Sequence, residues 1–189
     1  NDFTRVSIVI KNFALNYDST IENYSSFKIS HYPYFYIFLS KIYNIFQSFF
    51  LGKLVIVHLS LLLPFFFYQA IKVNFGNYKY IFFIPLVVFF SPYYRTTAIW
   101  GLNDNIALIF FTLSILFYLK SLSSNKKNIL IFIFLNSFFL MTSVYTRQYY
   151  ALFVIFFIYK FYSKFNLKTF SFYILFNILF SLILVKNLF

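Results

Sequence analysis

Long apolar runs alternate with short polar breaks along this chain, and the lengths of the runs predict most of its elements. A helix needs about 20 mostly apolar residues to cross a bilayer. Leu54 to Ile71, Tyr80 to Phe90, Asp104 to Leu119, Asn128 to Tyr145, Tyr149 to Tyr159 and Thr169 to Val185 approach that length, the shorter ones with flanking Tyr and Ser at the interface. They predict about six membrane spans. One further apolar stretch, Tyr34 to Leu51, differs because Ser40, Lys41, Asn44, Gln47 and Ser48 recur at three- and four-residue steps. Such a polar stripe predicts a helix lying in the interface. Pro64 and Pro85 read as helix kinks. The predicted fold is all-α, a polytopic transmembrane helix bundle with an N-terminal outer loop carrying in-plane helices. Its expected parts are an outer loop over 1–33, an interfacial helix over 34–51 and the bundle over 52–189.

Composition supports the membrane reading and sets what counts as rare. Of 189 residues 61% are hydrophobic and only 11% charged, against about 25% charged in an average soluble domain. The 33 Phe and 18 Tyr, beside three Gly and four Pro, match the output of an AT-rich genome, so a single Phe or Lys says little. The absence of Cys excludes disulfides, thiolate metal sites and cysteine nucleophiles. The net charge of +12 does not point to nucleic acid, because the lysines fall at helix ends rather than in a solvated domain. The chain opens at Asn1 without Met or signal peptide, and is expected to be a fragment lacking its first transmembrane helix.

Charge placement orients the expected spans. The connections 72–79, 120–127 and 160–168 carry eight Lys and no acid, and with the spans above they share one face, cytoplasmic by the positive-inside bias. The other face receives all four acids, Asp2, Asp18, Glu22 and Asp104, and all three arginines, Arg5, Arg95 and Arg147. This parity requires that Tyr34 to Leu51 does not span.

On that outer face the junction "SPYYRTTAIWGLNDN", Ser91 to Asn105, gathers an Arg, a Trp, an Asp and two Asn between apolar runs. Charged groups at the bilayer are costly and mark functional sites by default. Each also has a plainer reading. Asp104 follows Asn103 at a helix start and could be a simple cap. Arg95 and Arg147 could be interfacial anchors, but a chain that otherwise uses Lys for positive charge gains from Arg a planar fork suited to phosphate. Trp100 suits an aromatic belt as well as a pocket. His31 is either a turn residue or a substrate contact, and His58, in mid-span, reads as a hydrogen-bonded core residue. No P-loop, zinc motif, Ser-His-Asp set or dinucleotide fingerprint is present.

The order of these features resembles the GT-C superfamily of integral-membrane glycosyltransferases, which includes the protein O-mannosyltransferases, the aminoarabinose transferases and the dolichyl-phosphate-glucose glucosyltransferases. "NDFTRVSIVIKNF" looks like the acidic opening of their first outer loop. "ISHYPYFYIFL", about thirty residues on, looks like their Pro-aromatic motif. "YTRQYYALFVIFF" is similar to the Arg-Gln pair that opens a helix in the glucosyltransferase branch, and "GLNDNIALIFF" resembles an acidic helix start found after the third or fourth span. This sequence departs from the pattern in having one acid at position 2 rather than an Asp-Glu pair, and one Pro at position 33 rather than two.

The resemblance implies a multi-pass enzyme of the cell (inner) membrane. It would transfer a sugar from a polyprenyl-phosphate donor to a hydroxyl of a glycan, lipid or protein acceptor, with inversion at the outer face. Asp2 would be the general base, and Arg147 and Arg95 would bind the donor phosphate. His31, Tyr32, Trp100, Asp104 and Gln148 would shape the acceptor and sugar pocket, with no metal, no cofactor and no nucleic-acid partner. A lipid-linked-sugar flippase, an O-antigen ligase or polymerase, or a small-molecule transporter is the alternative. Transporters usually carry paired repeats, and no internal repeat is evident here. A purely structural membrane subunit would explain the hydrophobicity but not the gathering of acids and arginines.

Overall fold

A computed structural model describes residues 2–27, 32–124 and 126–185, all-helical and without strands among the described residues. The expected outer-loop region forms α1 (Asp2–Leu15) and α2 (Tyr17–Glu22), joined where the Asn16 side chain caps the Ser19 N–H, and then a 3-10 turn at Tyr24–Phe27. Next come α3 (Tyr34–Phe46) and α4 (Phe49–Ser60). Between them Gln47 adopts the left-handed conformation at φ 51°, and Ser48 caps α4 by accepting the Leu51 N–H. The expected interfacial helix over 34–51 is therefore two pieces, because Ser48 serves better as a cap than inside a helix. At 13 residues α3 is about 20 Å long, too short to cross a bilayer.

α5 (Leu62–Phe75) continues α4 after a break at Leu61, giving a 27-residue apolar segment, Phe49–Phe75. Pro64 causes the break. It has no N–H for the Ser60 carbonyl four residues back, and that carbonyl instead accepts the Tyr94 hydroxyl at 2.8 Å. The expected span Tyr80 to Phe90 does not form as one helix. It contains the short α6 (Phe83–Leu86), interrupted by Pro85, and a 3-10 turn, Val87–Phe90. α7 (Pro92–Trp100) ends at Gly101, φ 66°, which lets Leu102 N–H bond the Thr97 carbonyl at 2.9 Å. A Cβ at Gly101 would also meet the Lys53 Cγ at 3.4 Å.

The rest comprises α8 (Asp104–Ser123), α9 (Lys126–Thr146), a 3-10 turn at Gln148–Ala151, α10 (Leu152–Lys164) and α11 (Leu167–Val185). Three helices among the described residues are long and apolar enough to cross a membrane: Phe49–Phe75, Asp104–Ser123 and Asn128–Thr146. The sequence predicted about six; α10, with 13 residues, and the described apolar part of α11, Leu167–Leu182, fall short of that length.

α8 is the central helix, packed against α4, α5, α7 and α9, with half of its apolar stretch buried. α9 packs antiparallel to it. Asn103 Nδ2 donates to the Thr146 carbonyl at one end, and Asn136 Nδ2 to the Ser114 carbonyl at 2.7 Å near the middle. α5 runs alongside and parallel to α8, starting where Asn105 Nδ2 meets the Ser60 hydroxyl at 3.3 Å. α10 is also parallel to α8: Phe153 stacks near Phe111, and Phe157 and Phe161 near Tyr118. α11 runs parallel to α9, Phe176 meeting Phe134 and Phe180 meeting Phe138 one turn on. Helices α5, α8 and α10 thus end together, and carry Lys72, Lys120, Lys160 and Lys164 to the end of the assembly opposite Asp104. The aromatic helices α1 and α3 pack on one another at the Asp104 end through Val9, Ile10, Phe13, Phe35, Tyr36 and Leu39.

Candidate functional site

Asp104 is the first residue of α8 and Arg147 the first beyond α9, so the antiparallel hairpin brings them together although 43 residues separate them. Arg147 Nη2 donates to Asp104 Oδ2, forming an ion pair whose side chains are 16% and 5% exposed. The carboxylate also lies at the positive end of the α8 dipole. Asn103 holds the cap position itself, with its side chain turned to Thr146. Removing one partner of so enclosed a pair would strand the other's charge.

Tyrosines surround the pair. The Tyr93 hydroxyl is pushed up to about 12 by partial burial and then by its hydrogen bond to Asp104. Tyr149 is raised by burial, and Tyr150 is raised by burial and by the neighbouring Tyr149. Tyr36, on α3, is raised by burial despite the opposing pull of Arg147. All of these hydroxyls stay protonated at neutral pH and can both donate and accept. Nearby, the rings of Tyr32 and Tyr34 lie 5.8 and 5.7 Å from that of Tyr145.

An apolar cleft of about 450 Å³ begins at this end and descends between helices. Tyr34 and Phe38 of α3, Leu62 and Phe66 of α5, Ile106, Ile109, Phe110 and Leu113 of α8, and Thr142 and Thr146 of α9 line it. Its upper edge, at Thr146, adjoins Arg147. The cleft is apolar and wide enough for an alkyl chain.

A second set of polar groups in the junction is structural. Thr97 Oγ1 donates to Asn105 Oδ1 at 2.7 Å, and Asn105 Nδ2 reaches the Tyr94 carbonyl at 2.9 Å and the Ser60 hydroxyl. Ser60, Thr97 and Asn105 are all buried. This network fastens α7 to the break between α4 and α5, and explains much of the polarity of "SPYYRTTAIWGLNDN".

The predicted site residues fall into three groups. Asp104 and Arg147 meet, and Tyr32 stands close by beside Tyr145. Arg95 and Trp100 are exposed on α7, Trp100 under the Lys53 ammonium at 5.6 Å, and Gln148 is exposed after Arg147. Arg95 lies roughly 200° around α7 from Tyr93, the residue that reaches Asp104. Asp2 opens α1, but its side chain lies outside the described residues, as does all of His31. His58 is exposed rather than in the core as the sequence suggested, its Nδ1 2.7 Å from the Leu54 carbonyl one turn back. Among the described residues no cluster of His, Asp or Glu could hold a metal.

Sequence reasoning missed Tyr36, Tyr93, Tyr149 and Tyr150. The doubled tyrosines in "PYYR" and "RQYY" beside Arg95 and Arg147 were the available signal, hidden by the high tyrosine background. No protein-family model, curated protein or solved structure matches the chain, so its function has to be argued from these contacts.

Proposed function

We propose that this chain is a multi-pass membrane glycosyltransferase of the GT-C type. It moves a sugar from a polyprenyl-phosphate donor to an acceptor hydroxyl at the outer membrane face, with inversion. The observation that carries the reading is the enclosed Asp104–Arg147 pair, whose Arg147 directly follows Thr146, a residue lining an apolar cleft. A donor of this class joins a long isoprenoid to a phosphate and a sugar. The cleft suits the isoprenoid, and the guanidinium of Arg147, next in sequence to the cleft-lining Thr146, suits the phosphate.

In this reaction the acceptor oxygen attacks the sugar's anomeric carbon as the bond from that carbon to the phosphate oxygen breaks. The acceptor proton passes to the Asp2 carboxylate, and the electron pair of the broken bond leaves with the polyprenyl phosphate. Arg147 offsets the charge on that leaving group, held in place beforehand by Asp104. Tyr36, Tyr93, Tyr149 and Tyr150 supply neutral hydroxyls around the reacting groups. Gathering the lysines at the opposite end favours a cytoplasmic location for that end and an outer location for the site.

The test is sugar transfer from a polyprenyl-phosphate donor by membranes containing the full chain. Asp2→Asn should lower turnover at least about a hundredfold with insertion unchanged, the usual scale for a lost general base. Unchanged transfer in that variant would remove the mechanism and bring the flippase or transporter reading forward.

A further inference from the structure

We infer that the sugar handled at this site is uncharged, a neutral polyhydroxylated ring rather than an amino sugar. The inference rests on the transferase reading above and narrows it. Its basis is the division of labour among the groups around Asp104. The two charges there neutralise each other: Arg147 donates to Asp104, and the side chains of the pair are only 16% and 5% exposed. An ammonium group brought to this enclosed place would lose its water with no available carboxylate to receive it. The proposed mechanism commits Asp2 to the acceptor proton, and Asp18 and Glu22 stand exposed on α2.

What remains to meet a ligand is tyrosine. Tyr149 is half-exposed beside the pair, and Tyr32, Tyr34 and Tyr145 cluster at the head of the cleft. Phenol hydroxyls both donate and accept, so each can match a sugar hydroxyl in either sense. Their ring faces accept the apolar C–H faces of the same sugar. Neither feature supplies the fixed negative partner that a desolvated ammonium needs.

The experiment compares two donors with the same isoprenoid phosphate, one carrying glucose and the other glucosamine, which differ in one substituent. Turnover is followed as release of the isoprenoid phosphate. At pH 7 the glucosyl donor should have at least about a thirtyfold higher kcat/KM, equivalent to about 2 kcal/mol. The ratio should shrink as pH rises and the ammonium group loses its proton. Tyr149→Glu, which adds a carboxylate beside the pair, should narrow it at pH 7. Equal use of the donors, preference for glucosamine, or a ratio indifferent to pH would overturn the inference and leave the transferase reading standing. Turnover of neither donor would remove that reading and the inference with it.

Discussion

Tyr94→Phe isolates one oxygen atom at the break between α4 and α5. The Ser60 carbonyl loses its helical partner because Pro64 has no N–H, and the Tyr94 hydroxyl occupies it at 2.8 Å in a place where Ser60 is 1% exposed. A buried acceptor left empty costs about 1–3 kcal/mol. Hydrogen bonds between helices in membranes measure lower, about 0.6 on average and 1.7 at most, because the unfolded helices find other partners. The two scales overlap near 1–1.5 kcal/mol, roughly a tenfold shift in the folding equilibrium. The control is Pro64→Ala, which restores an N–H four residues beyond Ser60. In that background the carbonyl has its own partner, and Tyr94→Phe should cost less than about 0.5 kcal/mol. Equilibrium unfolding in detergent can be read from Trp100, the single tryptophan. The reasoning fails if Tyr94→Phe costs the same in both backgrounds.

Two further outcomes follow from the arrangement of charge. The chain has no cysteine, so single cysteines at Ser123 and Ser163 can be compared with one at Thr96; an impermeant thiol reagent on intact cells should label only the last, and labelling at Ser123 alone would invert the orientation. The Tyr93 hydroxyl is raised to about 12 from an ordinary value near 10, so the folded chain holds this proton more tightly than the unfolded one. Its contribution to stability is complete below about pH 10 and is lost as pH rises through about 12. Unfolding midpoints between about pH 9 and 11 should therefore fall less steeply for Tyr93→Phe than for the parent, and identical slopes would count against the Asp104 contact.

Run length predicted the α8–α9 hairpin closely, because each arm is an uninterrupted apolar segment ending in polar residues. It failed over Tyr80 to Phe90, where composition alone suggested a span but Pro85 and the short length leave a broken segment. Lysine grouping was legible because helix direction carries charges to helix ends regardless of packing detail. Asp104 and Arg147 could be chosen as scarce charged residues, yet their meeting depends on hairpin register, which no local pattern encodes. Asn105 was the reverse case: it stood out in the junction, but its work is internal fastening with Thr97 and Tyr94. The tyrosines around Asp104 carried no sequence contrast, since tyrosine is everywhere in this chain.

The amide of Asn136, bonded to the Ser114 carbonyl deep in the α8–α9 seam, has a consequence for how this sequence can change over time. A seam of Phe, Leu and Ile surrounded by lipid slides cheaply, since one greasy contact replaces another. A slip of one turn would move α9 by about 5.4 Å along α8 and draw Arg147 away from Asp104. Asn136 and Asn103 act together as two notches on a ruler, one at mid-depth and one beside the charged pair. With those notches kept, the lipid-facing Phe and Ile can drift among themselves under mutational bias while the charged pair stays in alignment.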